Sequence, residues 1–256
     1  MRATFDDDAD AYDRSRPVAP GSVFDDLVAG ARLQPGAAVV EIGPGTGQAT
    51  RRLAERGLRV TAVELGGHLA ARARQNLARF PDVEVVTASF EAWDPGPARF
   101  QAVVACNSFH WIDPDVRFAK AAAILDGDGH LVVLATPLVV PDGADRFWWD
   151  VQDDYAAASE QRLDPATQHP DRVTDLAPEV RACGLFDEPV TRRHLFATTF
   201  TADQYATNVA TRSGTKDLPP PAQAELVERI RRRIVAAGGT LTVHLLAVLT
   251  MARRRA

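Results

Sequence analysis

The chain has 256 residues, a formal net charge of −5 and two cysteines. With 46% hydrophobic and 25% charged residues it is typical of a soluble globular protein, and its length suits one large α/β domain. The negative charge argues against a nucleic-acid-binding surface, and the two cysteines give neither a disulfide framework nor metal-ligand spacing. We find no signal peptide or membrane-spanning run, so we expect a cytoplasmic protein without a membrane partner.

A glycine-rich loop follows the first predicted strand, and residues 39–47 read VVEIGPGTG. Glycine lets the backbone approach a ligand closely and adopt angles that other residues resist. A second apolar run, RVTAVE, ends at Glu64. The carboxylate of this residue can accept hydrogen bonds from both hydroxyls of a ribose. A strand, a glycine-rich turn, a helix and a strand that ends in an acid are typical of a nucleoside-binding unit.

The spacing of the loop indicates which nucleoside it suits. Dinucleotide binding requires a third glycine at the position where this chain has Gln48. Glu41 stands two residues before the first glycine, where its carboxylate would repel a pyrophosphate but suits an ammonium group. S-adenosylmethionine (SAM) has an ammonium and a sulfonium and no phosphate. The pattern therefore favours SAM over NAD.

The next elements continue the alternation of strands and helices. A third strand runs from Val83 to Ser89 and is followed by Phe90, and a fourth strand, 100–106, precedes the loop NSFHWID at 107–113. A helix is predicted from Pro114 to residue 125, because proline is favoured at a first helical position. A glycine turn at 126–129 then leads into a fifth strand at 128–136. This alternation predicts a parallel sheet with helices on both faces.

The pattern changes after the fifth strand. Residues 138–186 show no clear strand, and an aromatic-rich helix is predicted at 145–159, so we expect an inserted helical cap rather than a loop. A sixth strand follows at 189–199, then a helix at 202–211. An amphipathic helix after the prolines 219–221 and a last strand at 240–251 complete the chain.

The motif E-x-G-x-G-x-G, the acid that closes the next strand and the SFHWID loop resemble the class I SAM-dependent methyltransferases. The SFHWID loop is similar to that of small-molecule enzymes of the trans-aconitate methyltransferase kind. The resemblance implies a Rossmann-like, seven-stranded, mostly parallel sheet within one domain, residues 1–256, with a cap at 138–186. It also implies SAM as cofactor and S-adenosylhomocysteine (SAH) as product. The arginine-rich, lysine-poor composition suggests a high-GC bacterial genome, and a looser match at 201–218 resembles the C-terminal half of natural-product methyltransferases of actinobacteria.

The resemblance also implies a set of cofactor-binding residues. Residues 5–17 resemble the segment of this group that covers the cofactor, and we expect residues 1–30 to act as a lid. The alternative is a surface helix that packs on the domain. Ser89 departs from the acid usually found beside the adenine amine. The predicted cofactor-binding residues are Tyr12, Arg16, Glu41, Gly43, Gly45, Gly47, Glu64, Leu65, Ser89, Phe90 and Asn107.

His110 is the candidate general base, because its loop would face the methyl group and a histidine can accept a proton near neutral pH. The alternatives are that it orients the acceptor or packs the loop. His110, Trp111, Trp148 and Trp149 are the predicted substrate-binding residues, although the two cap tryptophans could instead form the core of the cap. Oxygen is the first choice of acceptor atom, with nitrogen and carbon open, and no metal is required.

Two rival interpretations remain open at this point. The protein could use SAM in a reaction other than methyl transfer, such as a cyclisation or a decarboxylation, since fold does not dictate function. It could also be a non-catalytic SAM-binding module. SAH formation separates the first rival from a methyltransferase. We expect a small-molecule substrate rather than a nucleic acid, and a monomer or a homodimer.

Overall fold

A central sheet organises the computed structural model, which describes residues 13–159 and 164–255. The strands in this part of the chain are β1 (Ala38–Ile42), β2 (Arg59–Glu64), β3 (Val83–Thr87), β4 (Phe100–Cys106), β5 (Leu125–Ala135), β6 (Leu138–Val139), β7 (Val190–Thr201) and β8 (Thr240–Arg253). The helices are α1 (Gly21–Gly30), α2 (Gln48–Ala54), α3 (Gly67–Leu77), α4 (Pro114–Ile124), α5 (Phe147–Asp150), α6 (Gln152–Ser159), α7 (Ala177–Cys183), α8 (Ala202–Ala210), α9 (Ser213–Lys216) and α10 (Pro220–Ala236).

The sheet is mostly parallel, as predicted. Its order is β3-β2-β1-β4-β5-β8, the first five strands are parallel, and β8 runs antiparallel between β5 and β7. The described residues contain eight strands rather than seven, because the two-residue β6 pairs with the same edge of β8 as β5 does. Thr136 and Pro137 separate β5 from β6, and a proline has no N–H for the ladder. The extra strand therefore continues the line of β5 and leaves the topology unchanged.

The predicted glycine turn before the fifth strand is wrong. Helix α4 ends at Ile124, and β5 begins at once with Leu125, which is fully buried and pairs with Phe100. The register between β4 and β5 shifts after this pair and resumes at Ala102 and His130. Burial of Leu125 thus starts the strand early, and the glycine-containing segment is accommodated as an irregularity within it.

Two apolar layers cover the faces of the sheet. On one face α1 inserts three side chains that are at most 1% exposed, Val23, Phe24 and Leu27. On the other face Phe118 of α4 and Val180 of α7 pack against the strands. The predicted lid at 1–30 is therefore wrong for α1, because that helix is part of the core. Residues 1–12 lie outside the described part of the chain.

A third apolar cluster forms a helical cover over the carboxyl ends of the strands. It joins α5 and α6, which follow β6, to α8 and α10, which lie between β7 and β8. Leu226, Ile230 and Ile234 form the buried stripe of α10. An ion pair from Arg233 Nε to Asp154 Oδ2, 2.7 Å long, links α10 to α6.

The predicted cap boundaries, 138–186, therefore differ from the structure. Helix α7 and Phe186 belong to the sheet core, and half of the cover comes from 202–236. We call α5, α6, α8, α9 and α10 the cover. No helix among residues 13–159 and 164–255 is long and apolar enough to cross a membrane.

Candidate cofactor and acceptor site

One cavity of about 940 Å³ lies between the carboxyl ends of the strands and the cover. Its floor consists of the loops after β1, β2, β3 and β4, and its roof consists of side chains from the cover and from β7 and β8. Single ligand pockets generally measure about 300–1,000 Å³. The cavity is thus at the upper end of that range, which suits two ligands bound side by side.

The backbone conformation of the glycine loop in the floor requires glycine at positions 43, 45 and 47. Gly43, Gly45 and Gly47 have φ values of 63°, 59° and 89°, a region that other L-residues rarely adopt. A Cβ on Gly43 would lie 2.7 Å from the Cβ of Ser108. Gly43 and Gly45 line the cavity, whereas Gly47 is the N-cap of α2 and packs on Leu77. Gly47 therefore shapes the loop but is not among the lining residues.

Glu64 stabilises the same loop from the end of β2. Its Oε2 accepts the N–H of Gly45 and its Oε1 accepts the N–H of Gly66, both at 2.9 Å. A carboxylate has about four lone-pair sites, so these bonds leave acceptor capacity for ligand hydroxyls. Leu65, which follows, is 44% exposed and also lines the cavity.

Glu41 lies at the end of β1, 1% exposed, and lines the cavity. The Thr50 hydroxyl donates a 2.6 Å hydrogen bond to its Oε2, while its Oε1 is buried and has no partner among the described residues. Burial raises the pKa of Glu41 to about 7, a shift that the Thr50 hydrogen bond opposes and the Glu64 carboxylate increases. An ammonium group beside Oε1 would satisfy this oxygen and favour the charged carboxylate. The site thus fits the amine of SAM.

The loop after β3 forms the third side of the floor. Ser89 and Phe90 both line the cavity, and the Ser89 Oγ accepts the N–H of Ala92 at 3.2 Å. Phe90 is 3% exposed. Glu91, which the sequence prediction did not include, also lines the cavity. The adenine contact assigned to this loop stays a prediction.

Asn107 begins the loop after β4 with φ at 56°. Its side chain is bonded to Thr136, which follows β5: Nδ2 donates to the Thr136 hydroxyl, and Oδ1 accepts the Thr136 N–H, both at 2.7 Å. The Ser108 hydroxyl donates to the carbonyl of Ile42. Asn107 and Ser108 together therefore hold the loop after β4 against the ends of β5 and β1, and the cofactor contact of Asn107 stays a prediction.

His110 sits in the single 3₁₀ turn Phe109–Trp111, whose position is set by the buried Phe109 and Ile112. His110 and Trp111 both line the cavity, with ring centroids 4.9 Å apart. Partial burial, and secondarily the Arg117 guanidinium, lower the pKa of His110. This shift favours the neutral imidazole, which is the form that can accept a proton.

Arg16 closes one side of the cavity, where its Nη2 donates to the carbonyl of Thr211 at 3.0 Å. The neighbouring carbonyl of Ser15 accepts a 2.9 Å hydrogen bond from Asn208 Nδ2. These bonds attach the start of the described chain to α8. Tyr12 lies outside the described residues.

The roof differs from the sequence prediction. Trp148 lines the cavity with only 5% of its surface exposed, but Trp149 is 46% exposed and is not among the lining residues, so its predicted role in substrate binding is corrected. Helix α5 turns Trp148 inward onto Tyr205, and the next residue along the helix faces outward. Tyr155, which the sequence also offered as a pocket residue of the cap, lines the cavity, whereas sequence reasoning missed the roof residues Tyr205, Asn208, Arg212 and Leu226.

No group of three or more His, Cys, Asp or Glu side chains within the described residues is arranged to hold a metal ion. Cys106 lines the cavity at the end of β4, and burial raises the pKa of its thiol well above the ordinary value.

Comparison with known proteins agrees with this geometry. Residues 39–129, from β1 into β5, match a family described as a methyltransferase domain. Over 135 residues the chain is 32% identical to Rv3342 of Mycobacterium tuberculosis, an uncharacterized methyltransferase, covering 51% of either chain. Over 75 residues it is 43% identical to an rRNA adenine N-6-methyltransferase of Saccharopolyspora erythraea, which is 29% of this chain and 20% of that protein.

The solved structure of a candidate type II methyltransferase from Anaeromyxobacter dehalogenans superposes with a TM-score of 0.65 at 19% identity, over 94% of this chain and 97% of that one. At this identity the likeness shows the fold alone. The protein thus has the class I methyltransferase fold, and its residues 39–129 match a methyltransferase domain of a family that uses SAM. The chain spans about half or less of the length of the curated relatives it matches.

Proposed function

We propose that this protein transfers the methyl group of SAM to a small organic molecule, with oxygen as the acceptor atom and His110 as the general base. The observation that carries the proposal is the single cavity that joins the glycine loop, Glu41 and Glu64 to an enclosed roof. A cofactor on the floor and an acceptor beneath the roof would share this space.

When bound, SAM supplies a methyl group that its sulfonium has already activated. The task of the residues here is to bind, orient and exclude water, and holding two reactants in line supplies much of the rate. Glu64 and the glycine loop would hold the ribose end, and Glu41 the amine. His110 would accept the proton of the acceptor hydroxyl during attack, which supplies about 10²–10⁴-fold.

A small acceptor is supported by the enclosure of the roof. Trp148, Leu226 and Val243 line it, and aromatic and aliphatic walls with few polar groups suit an organic ligand. Several relatives are rRNA methyltransferases, but each of them matches no more than 29% of this chain. The formal net charge of −5 gives no support for a nucleic-acid partner.

Calorimetric titration with SAM, SAH and NAD⁺ tests the cofactor first. We expect micromolar binding of SAM and SAH and no signal with NAD⁺. A screen of hydroxylated, carboxylated and amine-bearing small molecules for SAH release then tests the reaction. Binding of SAM without SAH release, together with conversion of a compound to an unmethylated product, would favour a cyclisation or decarboxylation instead. Absence of SAM binding would contradict the whole proposal.

A further inference from the structure

The roof of the cavity contains an arginine, Arg212. It follows the carboxyl end of α8, lines the cavity and is partly buried. Its Nε and Nη2 donate to the Asn208 Oδ1 at 3.1 and 2.8 Å, and Nη2 donates to the Tyr205 hydroxyl at 3.3 Å. All of these acceptors are neutral. Within residues 13–159 and 164–255, no Asp or Glu pairs with this guanidinium.

The surroundings of Arg212 hold the guanidinium in a fixed position. Its carbon lies 5.2 Å from the centre of the Tyr205 ring, and the Tyr155 hydroxyl also faces it. Burial lowers the pKa of Arg212, but the two tyrosine hydroxyls outweigh burial, so its pKa lies above the ordinary value. Arginine stays charged in proteins in any case. The roof therefore presents one fixed positive charge to the cavity.

The acidic lining residues all lie on the opposite side. Glu41, Glu64 and Glu91 belong to the floor, and no described lining residue from the cover, β7 or β8 is an Asp or a Glu. The indole N–H of Trp148 adds a buried donor that has no acceptor among the described residues. Buried donors without partners cost free energy that a ligand oxygen would remove.

On this basis we infer that Arg212, with the hydroxyls of Tyr155 and Tyr205, forms a subsite for a carboxylate, and that the methyl acceptor is an organic acid with an apolar body. This inference rests on the proposed function, because it identifies the substrate class of that site. A guanidinium can bind a carboxylate with two parallel hydrogen bonds, the geometry that gives the strongest pairs of this kind. The apolar lining of Trp148, Leu226 and Val243 would receive the rest of the molecule.

A carboxylate could also come from the methionyl end of SAM, since Arg16 and Thr211 adjoin Arg212 in the cavity wall. The experiment therefore measures both ligands. Matched probes that differ in charge, 3-phenylpropionate with 3-phenylpropionamide and octanoate with octanamide, are titrated into the protein with and without saturating SAH. The affinity for SAH is measured separately.

We expect the unsubstituted protein to bind at least one acid about tenfold or more tightly than its amide, the size typical of a charge-assisted hydrogen bond. Arg212→Gln should reduce this preference to below about threefold and leave the affinity for SAH unchanged. Arg212→Lys keeps the positive charge but cannot make two parallel hydrogen bonds to a carboxylate, so it should retain part of the preference for the acid. The matched control is Arg229→Gln, since Arg229 lies on α10 and pairs with Glu225 at the exposed surface. This variant should keep the full preference.

Equal binding of acids and amides to the unsubstituted protein would overturn the inference. A tenfold loss of SAH affinity in Arg212→Gln, with the acid preference intact, would assign the carboxylate to the cofactor and also overturn it. If Arg212→Gln does not fold, as judged by its thermal midpoint, Arg212→Lys and Tyr205→Phe decide the outcome. Failure to bind SAH would refute the proposed function, and the titrations without SAH would still test the subsite.

Discussion

The floor and the roof of the cavity differ in charge and in the way they are built. The floor combines Glu41, Glu64 and Glu91 with a glycine loop whose backbone is fixed by hydrogen bonds from neighbouring strands. The roof combines one arginine with aromatic and aliphatic side chains from two segments that are distant in sequence. Under the proposed function this difference would divide the roles, so that the floor binds a cationic cofactor and the roof selects the acceptor.

The largest effect should come from the residue that faces both halves. His110→Ala should lower kcat about 10²–10⁴-fold with SAH affinity unchanged, because it removes the proton acceptor and leaves the floor intact. The rate is measured with an acceptor found by the SAH-release screen. His130→Ala is the control, since the pKa of His130 is also lowered, chiefly by burial, but this residue does not line the cavity. Near-normal kcat in His110→Ala would exclude the base role.

Glu41→Gln should weaken cofactor binding and, at high pH, raise the stability of the ligand-free protein. Removing the charge should weaken SAH binding about 10- to 100-fold, the range of a hydrogen bond to a charged group. Without ligand, the unsubstituted protein keeps a proton on Glu41 that the unfolded chain releases, so its free energy of unfolding falls as pH rises from about 4.5 to about 7. The total fall is about 3 kcal/mol.

Denaturant unfolding at pH 5 and pH 8 measures this second effect. Glu41→Gln should be more stable than the unsubstituted protein at pH 8 and similar to it at pH 5, because a glutamine has no charge to desolvate. Equal stability of the two proteins at pH 8 would contradict the inference that burial destabilises the charged Glu41 carboxylate in the ligand-free protein.

Gly43→Ala tests whether cofactor binding requires the close approach of the Gly43 backbone to Ser108. Both Gly43 and Gly36 have positive φ, so an alanine at either position should cost about 1–2 kcal/mol of unfolding free energy. A Cβ at Gly36 meets nothing within 4 Å, whereas at Gly43 it would meet Ser108. Only Gly43→Ala should therefore weaken SAH binding in calorimetry. A similar loss in Gly36→Ala would show that backbone strain alone is responsible.

The smallest effect concerns the pH profile of kcat/KM. Because the pKa of His110 is lowered, the acid limb should lie below pH 6.5, where an ordinary histidine titrates. Arg117→Gln removes a nearby positive charge and should move the limb upward by less than about one pH unit. Glu179→Gln removes the ion-pair partner of Arg117 and keeps the guanidinium, so it should not move the limb upward.

The floor could be predicted from the sequence because its chemistry is local. The glycines and the two acids lie within the 24 residues 41–64, and parallel strands bring their carboxyl ends to one edge. The alternation of strands and helices and the start of α4 at Pro114 follow from similarly short patterns. The match to a methyltransferase domain at 39–129 confirms the family assignment for this part.

The roof could not be predicted in the same way. Trp148 and Tyr205 pack with ring centroids 6.3 Å apart although 57 positions separate them in the chain. Nothing local distinguishes the inward Trp148 from the outward Trp149, because the choice depends on where α10 lies. The position of Leu125 was missed for a related reason: its pairing with Phe100 overrides a glycine-rich pattern that favours a turn.

The start of the described chain joins the two halves. Asp13 accepts hydrogen bonds from Gln48 and Asn76 on the floor side, and Ser15 and Arg16 bond to α8 on the roof side. These few bonds add to the sheet and the apolar clusters that also connect floor and roof, so weakening them should loosen the chain start locally and leave both cores packed. The dwell time of a product would then depend on how firmly four side chains hold a short stretch of backbone, and the rate of turnover could be tuned there without altering the chemistry.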